Sequence, residues 1–102
     1  MAILVQTEFV RKATIRVIVN VYDDDEALVD ATSVDISIKD PDGTFVADEA
    51  AMNKTATGTY EYFLVTTISF IEGDYQIEAD ITDSSYHTYQ HGHFNLAAGV
   101  NE

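Results

Sequence analysis

An all-β, antiparallel sandwich of about seven strands is predicted for this 102-residue chain by three observations. Apolar residues recur at every second position along several runs. Turn residues separate those runs at intervals of about 8–15 residues. No window carries an apolar stripe at helical spacing.

The elements follow in order. Ala2–Val10 reads as strand-like, with Ile3, Leu4, Val5, Phe9 and Val10, yet it precedes the regular alternation; residues 1–12 are therefore expected to form an N-terminal arm or edge strand. Residues 13–97 form the sandwich and 98–102 a C-terminal tail. In Thr14–Tyr22, Ile15, Val17, Val19 and Val21 oppose Thr14, Arg16, Asn20 and Tyr22. Ser33–Lys39 sets Val34, Ile36 and Ile38 against polar residues, and Gly73–Ile81 does the same with Tyr75, Ile77, Ala79 and Ile81. This is the signature of strands with one face in a core and one in water. Thr59–Val65 is less regular, because Phe63 and Val65 oppose an already apolar face of Tyr60, Tyr62 and Leu64. The stretch "ADEAAMNK", 47–54, has helical propensity but is too short to stand alone as a helix. Asp40–Gly43, "DPDG", is a tight turn, because proline presets φ and glycine accepts the left-handed region. Asp23–Glu26 and Asp83–Ser85 are read as loop and turn. The expected core comprises Ile15, Val17, Val19, Val34, Ile36, Ile38, Tyr60, Tyr62, Tyr75, Ile77, Ala79 and Phe94.

Five basic and eighteen acidic residues leave a net charge of −13. Such a surface repels phosphate backbones and anionic bilayers, so neither nucleic acid nor membrane is an expected partner. There is no cysteine and hence no disulfide framework or thiolate site. In "MAILVQTEFVRKA" the apolar run breaks at Gln6 and the basic pair follows it, opposite to a secretory leader. Cytoplasmic synthesis is expected, with export only by assembly into something larger, such as a virion.

The motifs "DPDG", "GTYEY" and "EGDYQIEAD" together resemble the immunoglobulin-like modules of bacteria, archaea and viruses, including macroglobulin-type sandwiches. In such folds a tyrosine two residues before a central core position caps the preceding corner. Tyr75 matches the tyrosine and Ile77 the core position, while the usual cysteine and tryptophan are absent. The resemblance covers roughly residues 13–97. It implies a structural or adhesive role, and standalone copies of this kind occur among the accessory proteins of tailed-virus particles.

All three histidines lie in "YHTYQHGH", 86–93. On a strand, His87, Tyr89, His91 and His93 share one face, and Phe94 and Leu96 belong to the core on the other. The H-x-H pair His91 and His93 is a candidate metal-binding pair, for adventitious zinc, that needs a carboxylate from a neighbouring strand to complete it. His87 lies about 13 Å from His91 along the strand and stands apart from it. The acidic run Asp23–Glu26, with Asp30, is a weak calcium candidate that lacks the spacing of a calcium loop. Ser84, Ser85 and His87 are close in sequence but lack a third residue to make a triad. No catalytic residues and no resident cofactor are expected, and the chain is not read as an enzyme.

The apolar residues that break the alternation point to function. Ile3, Leu4, Val5, Phe9, Val10, Phe63 and Val65 are candidate partner-binding residues. The leading reading is a non-enzymatic structural or assembly module, an accessory or decoration protein of a virus particle. It would dock on a protein partner, a viral capsid or tail protein or another copy of itself, through its N-terminal arm and an apolar sheet face. Removing residues 1–10 is then expected to spare the fold. The alternatives are a metal- or ligand-binding sandwich using His91 and His93, and a cell-surface adhesion module.

Overall fold

The computed structural model describes residues 2–100; Met1 and residues 101–102, at the ends of the expected arm and tail, lie outside the described residues. The strands are β1 (Ala2–Leu4), β2 (Glu8–Val10), β3 (Thr14–Asn20), β4 (Ser33–Lys39), β5 (Phe45–Ala51), β6 (Asn53–Ala56), β7 (Thr59–Val65), β8 (Gly73–Asp83) and β9 (Tyr86–Ala97). They form a four-stranded sheet, order β1-β3-β7-β6, and a five-stranded sheet, order β2-β9-β8-β4-β5. All pairings are antiparallel except β2 with β9.

The period-two pattern decides which side faces inward. Ile15, Val17, Val19, Tyr60 and Leu64 of the first sheet meet Val34, Ile36, Ile38, Tyr75, Ile77, Ala79, Ile81, Phe94 and Leu96 of the second, all buried. Each large apolar side chain so buried contributes about 1.5–3 kcal/mol relative to leaving it in water. Every residue of the expected core is buried except Tyr62, which is half-buried against it.

Two segments carry detail that the period-two pattern does not show. Residues 47–54, rich in helix formers, are extended: β5 runs beside β4, Met52 crosses the interior, and β6 continues on the other sheet beside β7. The alternation is hidden by bulges. Two steps of β4, Ile36 to Ile38, face three steps of β5, Ala50 to Ala47, and a second shift follows at Lys39. Glu49 takes φ 49° there, and its N–H donates to Ser37 Oγ at 3.0 Å. Tertiary burial of Ala47 and Met52 outweighs the local helical preference.

The N-terminal residues also change sheet. β1 pairs with β3, and β2 pairs with β9. Ile3, Val5 and Phe9 turn inward and pack on the core. Deleting residues 1–10 would remove these side chains from the core along with both edge strands.

The Tyr75 hydroxyl donates to the Ile71 carbonyl at 2.7 Å, tying the strand to the corner that precedes it. Burial, reinforced by the nearby Asp40 charge, pushes this hydroxyl above its ordinary pKa. The folded chain thus holds the proton more tightly than the unfolded one. Its contribution is fully present below the ordinary tyrosine value of roughly 10 and is lost as pH rises beyond it. Tyr75→Phe is expected to cost about 1 kcal/mol at neutral pH by removing the hydrogen bond. Urea melts across the alkaline range should also show a flatter decline for the variant; parallel declines would reject this role.

Candidate functional site

The two outer faces of the sandwich differ in chemistry. On the four-stranded sheet, cross-strand rows place Leu4 beside Ile18 and Ile18 beside Glu61, Arg16 beside Phe63, and Thr14 beside Val65. Leu4 is 50% exposed, Phe63 49% and Val65 64%, with Ile68 exposed in the loop that follows. Arg16 crosses this face to Glu61, its guanidinium 2.9 Å from the carboxylate. Leu4, Ile18, Phe63 and Val65 thus make an outward apolar patch that the Arg16–Glu61 pair divides, with Leu4 and Ile18 to one side and Phe63 and Val65 to the other.

Of the candidate partner-binding residues, Leu4, Phe63 and Val65 belong to that patch. Val10 is exposed on the other sheet, while Ile3, Val5 and Phe9 are engaged with the core. Phe9 meets Phe94 edge-on, with ring centroids 5.8 Å apart. Ile3 fits against Gly92, where an added Cβ would lie 3.2 Å from its Cγ2.

The outer face of the five-stranded sheet is polar and largely acidic. His87, Tyr89, His91 and His93 stand outward on β9, as their spacing predicts. Each outward β9 residue faces its counterpart on β8: His91 opposite Glu78, Tyr89 opposite Asp80, His93 opposite Gln76. His91 Nε2 lies 2.8 Å from Glu78 Oε2, and His87 Nδ1 lies 2.9 Å from Asp80 Oδ1. The His87 ring also stacks on Tyr89 at 6.2 Å. His87 and His91 are thus each matched with a carboxylate while His93 faces Gln76, and among the described residues no three histidine or acidic side chains converge as a ligand set.

Glu78 and Asp80 were not singled out from the sequence, although a signal existed. The tight turn after Asp83 pairs Asp83 with Tyr86 and so fixes every later pair along the hairpin.

Beside these pairs runs an open groove of about 530 Å³, lined by Lys39, Phe45, Glu49, Glu78, His91 and His93 among others. Thr82 Oγ1 lies 3.2 Å from His87 Nδ1, the same nitrogen that faces Asp80. A hydroxyl and a carboxylate at one ring nitrogen do not form a relay, which needs them on opposite nitrogens.

The acidic loop is occupied by its own backbone. Asp23 Oδ1 accepts from the N–H groups of Asp25 and Ala27. Asp30 accepts from Gly58 N–H at 2.9 Å and from Lys54 Nζ at 2.6 Å. The Lys54 bond, and then the Gly58 bond, hold the Asp30 carboxyl below its ordinary pKa. Asp23 thereby fixes the turn of its own loop, and Asp30 ties that loop to Lys54 and Gly58.

No protein-family model and no curated protein matches the chain. Among solved structures, the crystal structure of the Lin-41 filamin domain is similar, with a TM-score of 0.63 and 21% identity over 91% of this chain and 85% of that one. The fold is immunoglobulin-like. At that identity the likeness concerns the fold alone. The strand order fits it: β1-β3-β7-β6 follows the A-B-E-D sheet of such sandwiches, and β9-β8-β4 follows G-F-C. On this immunoglobulin-like frame, β2 and β5 are additions at the two edges of the second sheet.

Proposed function

We propose that this immunoglobulin-like domain is a non-enzymatic structural or assembly module. It binds a protein partner through the outer face of its four-stranded sheet and presents its acidic face to solvent. The observation that carries the reading is the patch of Leu4, Ile18, Phe63 and Val65 on an outer face where the alternation calls for polar residues. Exposed apolar area of this kind is what a docked surface supplies to an interface, with Phe63 as the natural anchor. In its finer form, the module is an accessory or decoration protein of a virus particle. That form is supported by the resemblance of its turn and strand motifs to such modules.

The test is retention of a protein from an extract of the native source by the immobilised domain and by its Phe63→Glu variant. The substitution is on the surface and should leave the melting temperature within about 2 °C. A partner held at least tenfold less well by the variant is expected, since losing an anchor costs about 1.4 kcal/mol or more. Equal retention by both proteins would sink the proposal.

A further inference from the structure

The edge of β9 is unlike the other sheet edges. β1 and β2 have three residues each and β6 four, while β5 is bulged and carries Asp48 and Glu49. These are the usual devices that blunt an edge against further pairing. β9 has twelve residues, and β2 covers only Asn95–Ala97 on its outer side. Among the described residues, no strand pairs with His87–His93 there.

Which backbone groups this leaves open follows from the ladder. Asn95 N–H donates to Thr7 O at 2.7 Å, and Ala97 O accepts from Arg11 N–H at 2.9 Å, so the odd-numbered residues turn their backbone groups away from β8. His87, Tyr89, His91 and His93 therefore offer their N–H and C=O groups at the open edge. The segment 84–100 contains no Asp, Glu, Lys or Arg, so nothing on the strand itself repels an incoming chain. Behind it stands a row of carboxylates, Glu78 and Asp80, one strand further in.

We infer that the His87–His93 edge of β9 is a docking site for an extended, basic segment of a partner protein, which adds to the five-stranded sheet as a further strand. This rests on the reading of the domain as a protein-binding module but uses a different surface. The incoming backbone pairs with the open groups of His87, Tyr89, His91 and His93. Its outward Lys or Arg side chains lie over Tyr89 and the histidines. They reach toward Glu78 and Asp80, about 10 Å away across two strand spacings. Charge decides against a second copy as the occupant, because two chains of −13 repel each other.

The test uses three synthetic peptides: one alternating Lys with Val, one with Glu for Lys, and the Lys peptide N-methylated at alternate residues. Amide exchange and titration are followed residue by residue. The expected result is binding of the Lys peptide alone, with at least tenfold slower exchange at Tyr89, His91 and His93. Tyr89→Pro removes an outward N–H without touching the β8 ladder and should weaken binding at least tenfold. Tyr89→Thr keeps that N–H and should bind within about threefold of the parent, since the backbone carries the contact. Protection elsewhere, equal binding of the N-methylated peptide, or no binding of the Lys peptide would overturn the assignment. So would a dimer of the free chain that Tyr89→Pro dissolves, which would place a second copy on the edge. Phe63→Glu leaves β9 untouched, so failure here and failure of the apolar-face reading are told apart.

Discussion

Phe94→Ala is expected to remove about 4 kcal/mol of folding stability, the largest loss foreseen for a single substitution in this domain. Phe94 is 0% exposed and sits in the middle of a column of rings. It stacks on Tyr75 at 5.0 Å with the planes 12° apart, and it meets Phe9 edge-on. Tyr75 in turn stacks on Phe70 at 6.4 Å. Truncation loses the buried ring and leaves a cavity against Tyr75 and Phe9. Phe9 on β2 loses the ring it meets edge-on. With total stability for such a domain of about 5–15 kcal/mol, the melting temperature should fall by on the order of 20 °C. Urea and thermal melts give the number directly. A loss below about 1.5 kcal/mol would mean that the column is not a central support.

Gly58→Ala should be the next most damaging, at about 3 kcal/mol. Gly58 has φ 68°, a conformation that costs alanine about 1 kcal/mol. The rest comes from crowding. A Cβ there would lie 2.8 Å from Val29 N, 2.9 Å from Val29 O and 3.0 Å from Val21 O, all backbone atoms. They cannot retreat cheaply, because Val21 N–H donates to Gly58 O and Val29 N–H donates to Val21 O. Gly43→Ala supplies the control: its φ of 84° is similar, but a Cβ would meet nothing within 4 Å. It should lose only about 1 kcal/mol. Equal losses at the two sites, measured in the same urea titration, would rule out the crowding argument.

The parts of the fold that were legible in the sequence are those where alternation and burial agree. Ser33–Lys39 is a strand with the predicted limits, and the Tyr75 hydroxyl meets the corner as its motif implies. Residues 45–56 were illegible for a physical reason. The bulges insert extra residues, so Ala47, Ala50 and Met52 reach the interior at unequal spacing, and alanine carries little hydrophobic signal. The N-terminal segment misled differently. Its apolar residues divide between inward Ile3, Val5 and Phe9 and outward Leu4 and Val10, a division set by the change of sheet between β1 and β2. For the site, the outward histidines could be read from period two alone. Their carboxylate partners needed the hairpin register as well, and the open backbone edge needed to know where β2 stops.

The parallel pairing of β2 with β9 has a mechanical meaning. Glu8, Phe9 and Val10 lie beside Asn95, Leu96 and Ala97 with both strands running the same way. Tension drawn along the backbone from before β2 and from beyond β9 therefore pulls the two strands past each other lengthwise. The bonds between them, including those from Asn95 to Thr7 and from Arg11 to Ala97, must then yield together and not one after another. Under a pull in that direction the β2–β9 pairing is loaded in shear, with its bonds sharing the force.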